Sequence, residues 1–165
     1  MSGIDIRPTG ARDAEAIMAL HRAAASGVSG LAREPDEIEI GYIAKFLSEA
    51  TITLGAWAGD RLVGEIHAYR MGPRQFHHVV TDLTIAVHPE FQGQGVGGLL
   101  FEALFHEARA MAPPVARVEL MVRTGNAGAV RLYERMGFVV EGRFADRVRL
   151  RDGTVEDDLA MTKFL

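Results

Sequence analysis

The chain has 165 residues, of which 48% are hydrophobic, and carries a net charge of −4 at pH 7. This apolar content suffices for one folded core, so we expect a single domain over residues 1–165. The absence of cysteine excludes a disulfide scaffold, a thiolate nucleophile and a cysteine-based zinc site. Charges of both signs are interspersed and no apolar run approaches the roughly 20 residues of a membrane span, so we expect a cytoplasmic protein that binds neither nucleic acid nor membrane.

The first half of the chain predicts a strand, two helices and three further strands. Ile4 and Ile6 alternate with charged residues as in a short strand, which Pro8 ends. Hydrophobic residues at near-helical spacing predict the two helices, and Gly59-Asp60 predicts a hairpin turn between two of the later strands. The predicted elements are a strand over 4–8, helices over 11–24 and 38–47, and strands over 51–58, 61–70 and 79–87.

The second half predicts two helices that alternate with strands, followed by a closing hairpin. Asn126 is a good helix N-cap and Gly137 a good residue to follow a helix, while Asp152-Gly153 indicates a hairpin turn. The predicted elements are a helix over 96–111, a strand over 117–123, a helix over 126–137, and strands over 138–149 and 154–163. The order β-α-α-β-β-β-α-β-α-β-β predicts an α/β (α+β) protein with a mixed sheet: its hairpins give antiparallel pairs, and the strand-helix-strand unit over 79–123 gives a parallel pair.

Four glycines within the segment QGQGVGG, residues 92–98, lie between a predicted strand and a predicted helix. The N-terminus of a helix presents unpaired N–H groups and the positive end of its dipole, and missing side chains let a phosphate approach them. This segment therefore predicts an anion site, most simply for a diphosphate. It is not a Walker P-loop, because Gly97-Gly98-Leu99 lacks the lysine and the hydroxyl that this loop requires.

Two other interpretations of the glycines stay open at this point. Gly93, Gly95 and Gly98 match the G-x-G-x-x-G fingerprint of nicotinamide-dependent oxidoreductases, with Glu119 about 20 residues further on. Residues 88–92, however, separate the strand from the first glycine, where that fingerprint follows its strand directly. The glycines could also serve only to form a tight turn, although one turn does not need four of them.

Two sequence blocks resemble the GNAT superfamily of acyl-CoA-dependent N-acetyltransferases. QGQGVG, residues 92–97, is similar to that family's Q/R-x-x-G-x-G/A motif, and residues 122–143 are similar to its V-x-x-x-N-x-x-A-x-x-L-Y-x-x-x-G-F-x-x-E-G-x pattern. The resemblance covers nearly the whole chain and is nearest to the amino-acid, phosphinothricin-like and ribosomal-protein acetyltransferases. It implies the GNAT fold, in which a mostly antiparallel sheet of six to seven strands carries about four helices, and a splayed parallel strand pair binds acyl-CoA.

The resemblance also implies acetyl-CoA as co-substrate, no metal, and a set of coenzyme-binding residues. Main-chain groups of the strand before the glycines would contact the pantetheine arm, and N–H groups of the glycine segment would hold the diphosphate. Tyr133 would protonate the departing sulfur, although periodicity alone would make it a core residue. The implied coenzyme-binding residues are Ile85, Ala86, Val87, Gln92, Gly93, Gln94, Gly95, Val96, Gly97, Gly98 and Asn126.

The general base and the acceptor site are less clearly indicated. Asp82 is the preferred base, because related enzymes often have a carboxylate there; Glu65, His67 and His78 are alternatives. The closing hairpin and residues 26–48 would flank the acceptor site in this fold. Acidic residues there could face an ammonium group, namely Asp157, Glu34 and Asp36.

The sequence thus predicts an N-acetyltransferase that moves acetyl from acetyl-CoA to a primary amine by direct attack. The acceptor would be a free amino acid or a related small amine, or alternatively a protein N-terminus, as for ribosomal-protein acetyltransferases. A non-catalytic acyl-CoA-binding module is the competing class. Because GNAT proteins are often dimers, a homodimer is a further expectation.

Overall fold

The computed structural model describes residues 3–26 and 31–165. The predicted segment 26–48 beside the acceptor site therefore includes residues 27–30, which lie outside the described residues. Within the described residues, seven strands and four α-helices follow one another in the predicted order. The strands are β1 (Ile4–Pro8), β2 (Ile52–Ala58), β3 (Arg61–Arg70), β4 (Val79–Val87), β5 (Arg117–Arg123), β6 (Val139–Arg149) and β7 (Val155–Phe164), and the helices are α1 (Ala14–Ala25), α2 (Ile40–Glu49), α3 (Val96–Ala110) and α4 (Ala127–Arg135).

All seven strands form one mixed sheet in the order β1-β2-β3-β4-β5-β7-β6. Every pair is antiparallel except β4 and β5, which are parallel. The paired register of β4 and β5 comprises only Val79 with Arg117 and Val80 with Val118, although both strands continue well beyond these positions. The two strands therefore splay apart and leave a wedge in the sheet, which confirms the predicted mixed α/β architecture.

The sheet carries helices on both faces because its central strands are apolar on both sides. On one face, α3 contributes buried residues such as Leu100 and Leu104 to the larger core. On the other face, α1 and α2 contribute Ile17, Ile43 and Phe46 to a second core. This packing makes β3 buried along most of its length.

Helix α2 begins later than the hydrophobic pattern predicts. Ile38 is fully buried but has an extended backbone, so its side chain reaches the core from the segment before the helix, which starts at Ile40. None of the helices in the described ranges is long and apolar enough to cross a membrane.

A β-bulge interrupts β4 where it passes β3. The register changes from His67 opposite Thr84 to Tyr69 opposite Thr81, so β4 holds one extra residue. Asp82 lies in this bulge with a φ of 49°, a left-handed conformation that Asp adopts more readily than most residues. The bulge leaves the Asp82 side chain exposed, whereas the other residues of β4 are buried or half-buried.

Candidate functional site

The glycine segment forms an open entrance to α3. Gly93 and Gly95 have φ values of 73° and 86°, and a Cβ added at either glycine would meet no atom within 4 Å. Helix α3 begins at Val96, and Leu99 donates to the carbonyl oxygen of Gly95 at 3.1 Å. The N–H groups at the start of α3 therefore face space that an anion could occupy.

Gly97 and Gly98 also lie where α3 meets α4, a contact that the sequence does not predict. A Cβ added at Gly97 would lie 2.8 Å from Cδ2 of Leu132, and one at Gly98 would lie 3.9 Å from the sulfur of Met136. Both neighbours belong to α4 or follow it directly. The lack of a side chain at Gly97 lets α3 and α4 approach each other, whereas Gly98 has room for a Cβ in ordinary van der Waals contact with Met136.

The coenzyme cleft, as we name the cavity of about 860 Å³ that runs from the wedge to the entrance of α3, brings most of the predicted coenzyme-binding residues together. Ala86 and Gln94 are not among its lining residues. The side chain of Ala86 belongs to the core on the opposite face of the sheet, and that of Gln94 donates to the carbonyl oxygen of Glu90 at 2.7 Å. The predicted residues that line the coenzyme cleft are Ile85, Val87, Gln92, Gly93, Gly95, Val96, Gly97, Gly98, Asn126 and Tyr133.

Several arginines add positive charge to the coenzyme cleft. Arg131 and Arg135 lie on α4, Arg123 lies at the end of β5, and Arg33 and Arg149 line the cleft from other segments. Guanidinium groups bind phosphate oxygens well, because they carry fixed charge and several donors. The cleft thus has the charge that a ligand with several phosphates requires.

Asn126 and Tyr133, both expected to contact the coenzyme, are positioned by α4. Oδ1 of Asn126 accepts from the N–H of Ala129 at 3.2 Å, so this side chain caps the helix while it lines the cleft. Tyr133 is 8% exposed and packs edge-on against Phe101, with ring centroids 5.7 Å apart. Burial raises the pKa of Tyr133 to about 12, so its hydroxyl stays protonated near neutral pH and can donate a proton inside the cleft.

The acceptor cavity, as we name a second cavity of about 690 Å³, lies between the sheet and helices α1 and α2. Leu31, Ala32, Arg33 and Thr84 line both this cavity and the coenzyme cleft, so the two spaces meet at Thr84 of β4. A group bound in the acceptor cavity could therefore reach the end of a ligand bound in the cleft.

Charged side chains of both signs line the acceptor cavity. Glu49 and Asp82 are acidic, and Arg33, Lys45 and Arg70 are basic. Burial raises the pKa of Tyr69 to about 12, and nearby acidic groups, Glu49 and Asp82 among them, add to this rise. An ammonium group would be attracted to the two carboxylates, and a carboxylate to the basic side chains.

Three buried polar side chains lie behind the acceptor cavity. Oε2 of Glu65 is 2.8 Å from Nε2 of His21, and Oε1 of Glu65 is 3.0 Å from Nδ1 of His67. Glu65 and His21 are fully buried and His67 is 2% exposed. The facing atoms lie within 4.8 Å of one another, close enough to share a metal ion, but they already form hydrogen bonds with each other.

The four candidate general bases differ in their access to the acceptor cavity. Asp82 lines it, and His67 lines it as well. Glu65 is not among its lining residues, since its carboxylate is enclosed by the two histidines. His78 is exposed just before β4, where its carbonyl oxygen accepts from the N–H groups of Ala116 and Arg117, and it lines neither cavity.

Asp157 and Glu34, both expected at the acceptor site, lie outside the acceptor cavity. Asp157 accepts from the side chain of Arg143 and from the N–H of Asp146. The Asp146 bond and then the Arg143 bond hold the pKa of Asp157 below its usual value. Glu34 lines the coenzyme cleft instead and pairs with Arg151 of the closing turn, which also binds Asp36.

The chain is similar to known acetyltransferases in both sequence and fold. The model of the acetyltransferase (GNAT) family matches residues 15–138. The chain belongs to this family. Its fold is also that of solved GNAT proteins: an acetyltransferase of the GNAT family from Streptococcus pneumoniae is 25% identical, with a TM-score of 0.85 over 99% of this chain and 100% of that chain.

Two further GNAT relatives differ in the acceptors that their names state. A phosphinothricin acetyltransferase from Sinorhizobium meliloti, solved in complex with acetyl-CoA, has the same fold, with 20% identity and a TM-score of 0.84 over 100% of this chain and 89% of that chain. The ribosomal protein bS18-alanine N-acetyltransferase of Escherichia coli K12 is 45% identical over 58 residues, which are 35% of this chain and 38% of the relative. The matched segment of this chain therefore spans well under half the length of that curated relative.

Sequence reasoning missed several residues of this GNAT site. Asp158, not Asp157, lines the coenzyme cleft, because adjacent residues of a strand point to opposite faces. The bond between His21 and Glu65 joins residues 44 positions apart, so no local motif predicts it. The arginines of α4 could have been found from sequence, since Arg131 and Arg135 are four residues apart and therefore share a helix face.

Proposed function

We propose that the protein is an N-acetyltransferase that transfers acetyl from acetyl-CoA to a primary amine by direct attack. The observation that carries this proposal is the meeting of the two cavities at Thr84. The coenzyme cleft supplies helix N–H groups and arginines for a polyphosphate. The acceptor cavity supplies the carboxylates of Glu49 and Asp82 for an ammonium group. A thioester in the first would face a nitrogen nucleophile in the second.

The proposed chemistry needs one proton acceptor, one proton donor and a site for the oxyanion. An alkylamine has a pKa of about 10.4, so its ammonium form must lose a proton before attack. An N–H group of β4 near Ile85-Ala86-Val87 would stabilise the tetrahedral oxyanion, an effect worth roughly 2.7 to 4 kcal/mol. Tyr133 would then protonate the departing sulfur. No covalent enzyme intermediate is required, so the lack of cysteine is no obstacle.

Asp82 is proposed to attract the ammonium group to the reaction centre. It is exposed in the bulge of β4 and lines the acceptor cavity two residues before Thr84. Its carboxylate is also the proton acceptor that the sequence predicts. The neighbouring Glu49 would add to the attraction.

A free amino acid is the acceptor that the acceptor cavity supports best. Besides the acidic residues, Arg33, Lys45 and Arg70 line this cavity, so its wall carries both signs of charge. A zwitterion would place its ammonium group near Asp82 and its carboxylate near these cations. The volume of the cavity is within the range of small-molecule sites, about 300 to 1,000 Å³.

A protein N-terminus is the second candidate acceptor. It is favoured by the similarity to the bS18-alanine N-acetyltransferase of E. coli. An N-terminal residue presents an ammonium group but no adjacent carboxylate. Only a free amino acid would therefore need the basic side chains of Arg33, Lys45 and Arg70 to bind its carboxylate.

Consumption of acetyl-CoA with matched acceptors tests this proposal. Each free amino acid is compared with its amide, its decarboxylated amine and a short peptide that begins with it, beside polyamines and aminoglycosides. We expect turnover with one or a few free amino acids, and at least about tenfold lower kcat/KM for their amides, since a lost charge contact costs 1.4 kcal/mol or more. Turnover with peptides alone would assign the protein-N-terminus acceptor, and no turnover with any amine would favour a non-catalytic acyl-CoA-binding module.

A further inference from the structure

The buried group formed by His21, Glu65 and His67 has a defined pattern of protons. Each carboxyl oxygen of Glu65 faces one histidine ring nitrogen, and a neutral imidazole can donate one hydrogen bond from that nitrogen. These hydrogen bonds hold the pKa of Glu65 below its usual value against the opposing effect of burial, and a proton taken up by His67 would lower it further. The arrangement therefore suits Glu65 as a carboxylate, which only accepts hydrogen bonds. Each ring nitrogen that faces it must then carry a hydrogen, namely Nε2 of His21 and Nδ1 of His67.

This pattern leaves the other nitrogen of His67 as an acceptor. When Nδ1 of a neutral imidazole carries the hydrogen, Nε2 has a free lone pair and can take a proton. The His67 ring is held by Phe46, which stacks on it with centroids 4.0 Å apart and planes 10° apart. Its tautomer and its orientation are thus both fixed, the first by Glu65 and the second by Phe46.

His67 is also close to the point where acetyl transfer would occur. It lines the acceptor cavity and lies directly opposite Thr84 in the antiparallel pair of β3 and β4. Side chains of such opposite residues share one face of the sheet, with Cβ atoms about 4.5 to 5.5 Å apart. Thr84 lines both cavities, so the imidazole of His67 lies beside the residue at which they meet.

Stability alone does not account for this buried group. Replacing buried ionic groups with packed apolar residues is often neutral or stabilising, because burial removes favourable hydration. Nδ1 of His21 is moreover buried without a hydrogen-bond partner in the described part of the chain, which adds a further cost. A function at the cavity would explain why β3 carries two polar residues on this buried face.

We propose that His67 is the general base of acetyl transfer and that Glu65 and His21 are positioning residues that fix its tautomer. This inference rests on the proposed acetyltransferase function. The ammonium group of the acceptor, attracted by Asp82, gives its proton to Nε2 of His67. The freed amine attacks the thioester carbon, the C–S bond breaks, and the sulfur takes a proton from Tyr133. The nitrogen loses its second proton to the tyrosinate, and His67 releases the first to solvent.

The imidazolium of His67 that forms during the reaction is stabilised by Glu65. Its Nδ1–H faces the carboxylate of Glu65, so proton uptake creates an ion pair within a buried site. Other charged or titratable groups also face His67 across the acceptor cavity or on its own strand. They are His21 of α1, Tyr42, Lys45 and Glu49 of α2, Glu65 and Tyr69 of β3, Asp82 of β4, and Arg33 and Arg70.

The pH dependence of His67→Asn, Glu65→Gln and Asp82→Asn tests this proposal, with the best acceptor from the amine panel. Wild-type kcat/KM should rise with pH as the general base loses its proton, and we call this rise the acidic limb of the profile. His67→Asn should lower kcat by about 100-fold at pH 7 with an unchanged acetyl-CoA Kd, and the loss should shrink as alkaline pH deprotonates the amine itself. Glu65→Gln removes a negative charge and should move the acidic limb to lower pH. Asp82→Asn should raise the acceptor KM and keep the limb.

The matched control is His78→Gln, which changes an exposed histidine outside both cavities. It should leave the profile unchanged. An unshifted limb in both His67→Asn and Glu65→Gln would overturn the proposal, and loss of the limb in Asp82→Asn would assign the base to Asp82. Bound divalent metal that is lost in these variants would also overturn it, because the three side chains would then be ligands.

An NMR measurement that needs no acceptor separates failure of this proposal from failure of the acetyltransferase function. The ¹⁵N shifts of the His67 ring in the wild-type protein with CoA should show a hydrogen on Nδ1 and a free Nε2 at pH values where the ring is neutral. A hydrogen on Nε2 of the neutral ring would overturn the role of His67 as general base, whether or not turnover occurs. Turnover by the wild-type protein, measured separately, reports on the proposed function itself.

Discussion

Tyr133→Phe is expected to lower kcat by about 100-fold or more and to leave the Kd of CoA nearly unchanged. Tyr133 lines the coenzyme cleft from α4, and burial raises its pKa to about 12, so its hydroxyl is present as an acid at neutral pH. Removing a positioned general acid costs roughly 10² to 10⁴ in rate. Phenylalanine keeps the ring that packs against Phe101 and Phe138, so the fold should be preserved.

Steady-state kinetics and a CoA titration on the same preparation check this expectation. The pair of measurements matters because a cleft damaged by the substitution would weaken CoA binding together with turnover. Equal kcat in the variant and the wild-type protein would contradict the acid role and would return Tyr133 to the core residue that periodicity alone indicates. A non-catalytic module would show no turnover in either protein.

Gly95→Asp is expected to weaken CoA binding by about 100-fold, whereas Gly95→Asn should weaken it much less. Gly95 has a φ of 86°, and an added side chain would project into open space before α3, where the diphosphate is proposed to bind. Asp and Asn both tolerate left-handed backbone, so neither should unfold the entrance to the helix. Only Asp adds a negative charge there, and like charges placed together cost several kcal/mol.

Isothermal titration of both variants with CoA, together with their melting temperatures, checks this prediction. The two side chains are nearly equal in size, so their difference isolates the charge. Salt should reduce that difference, because screening weakens interactions between exposed charges. Equal affinities in the two variants would mean that the phosphates bind away from α3.

The order of the elements could be predicted because each depends on local sequence. The alternation of Val118, Leu120 and Val122 indicates a strand, and Asn126 does cap the helix that follows it. The splay of β4 from β5 is different: it depends on pairing that stops at Val80, and no local pattern contains this information. The family resemblance supplied it instead.

Sequence motifs predict those parts of the candidate site that depend on local backbone conformation. They do not predict the parts that depend on contacts between residues far apart in the chain. The glycine segment predicts an anion site at the start of α3, which stays a prediction, but the requirement for Gly97 comes from its contact with Leu132 of another helix. The sequence predicts Asp157 at the acceptor site and does not indicate that the adjacent Asp158 lines the coenzyme cleft, which depends on the face of the sheet that each side chain occupies. For the same reason, the partnership of Glu65 with His21 became visible only in the structure.

We propose above all that main-chain N–H groups at the start of α3 bind the diphosphate of coenzyme A, whose pantetheine arm enters the wedge between β4 and β5. Titration of the ¹⁵N-labelled wild-type protein with CoA, followed by amide NMR and compared with NADH, tests it most directly. The account predicts saturable binding of one CoA, with the largest shifts at residues 93–98 and Asn126, and no comparable binding of NADH. Absent CoA binding, shifts confined to other surfaces, or preferential binding of NADH would contradict it.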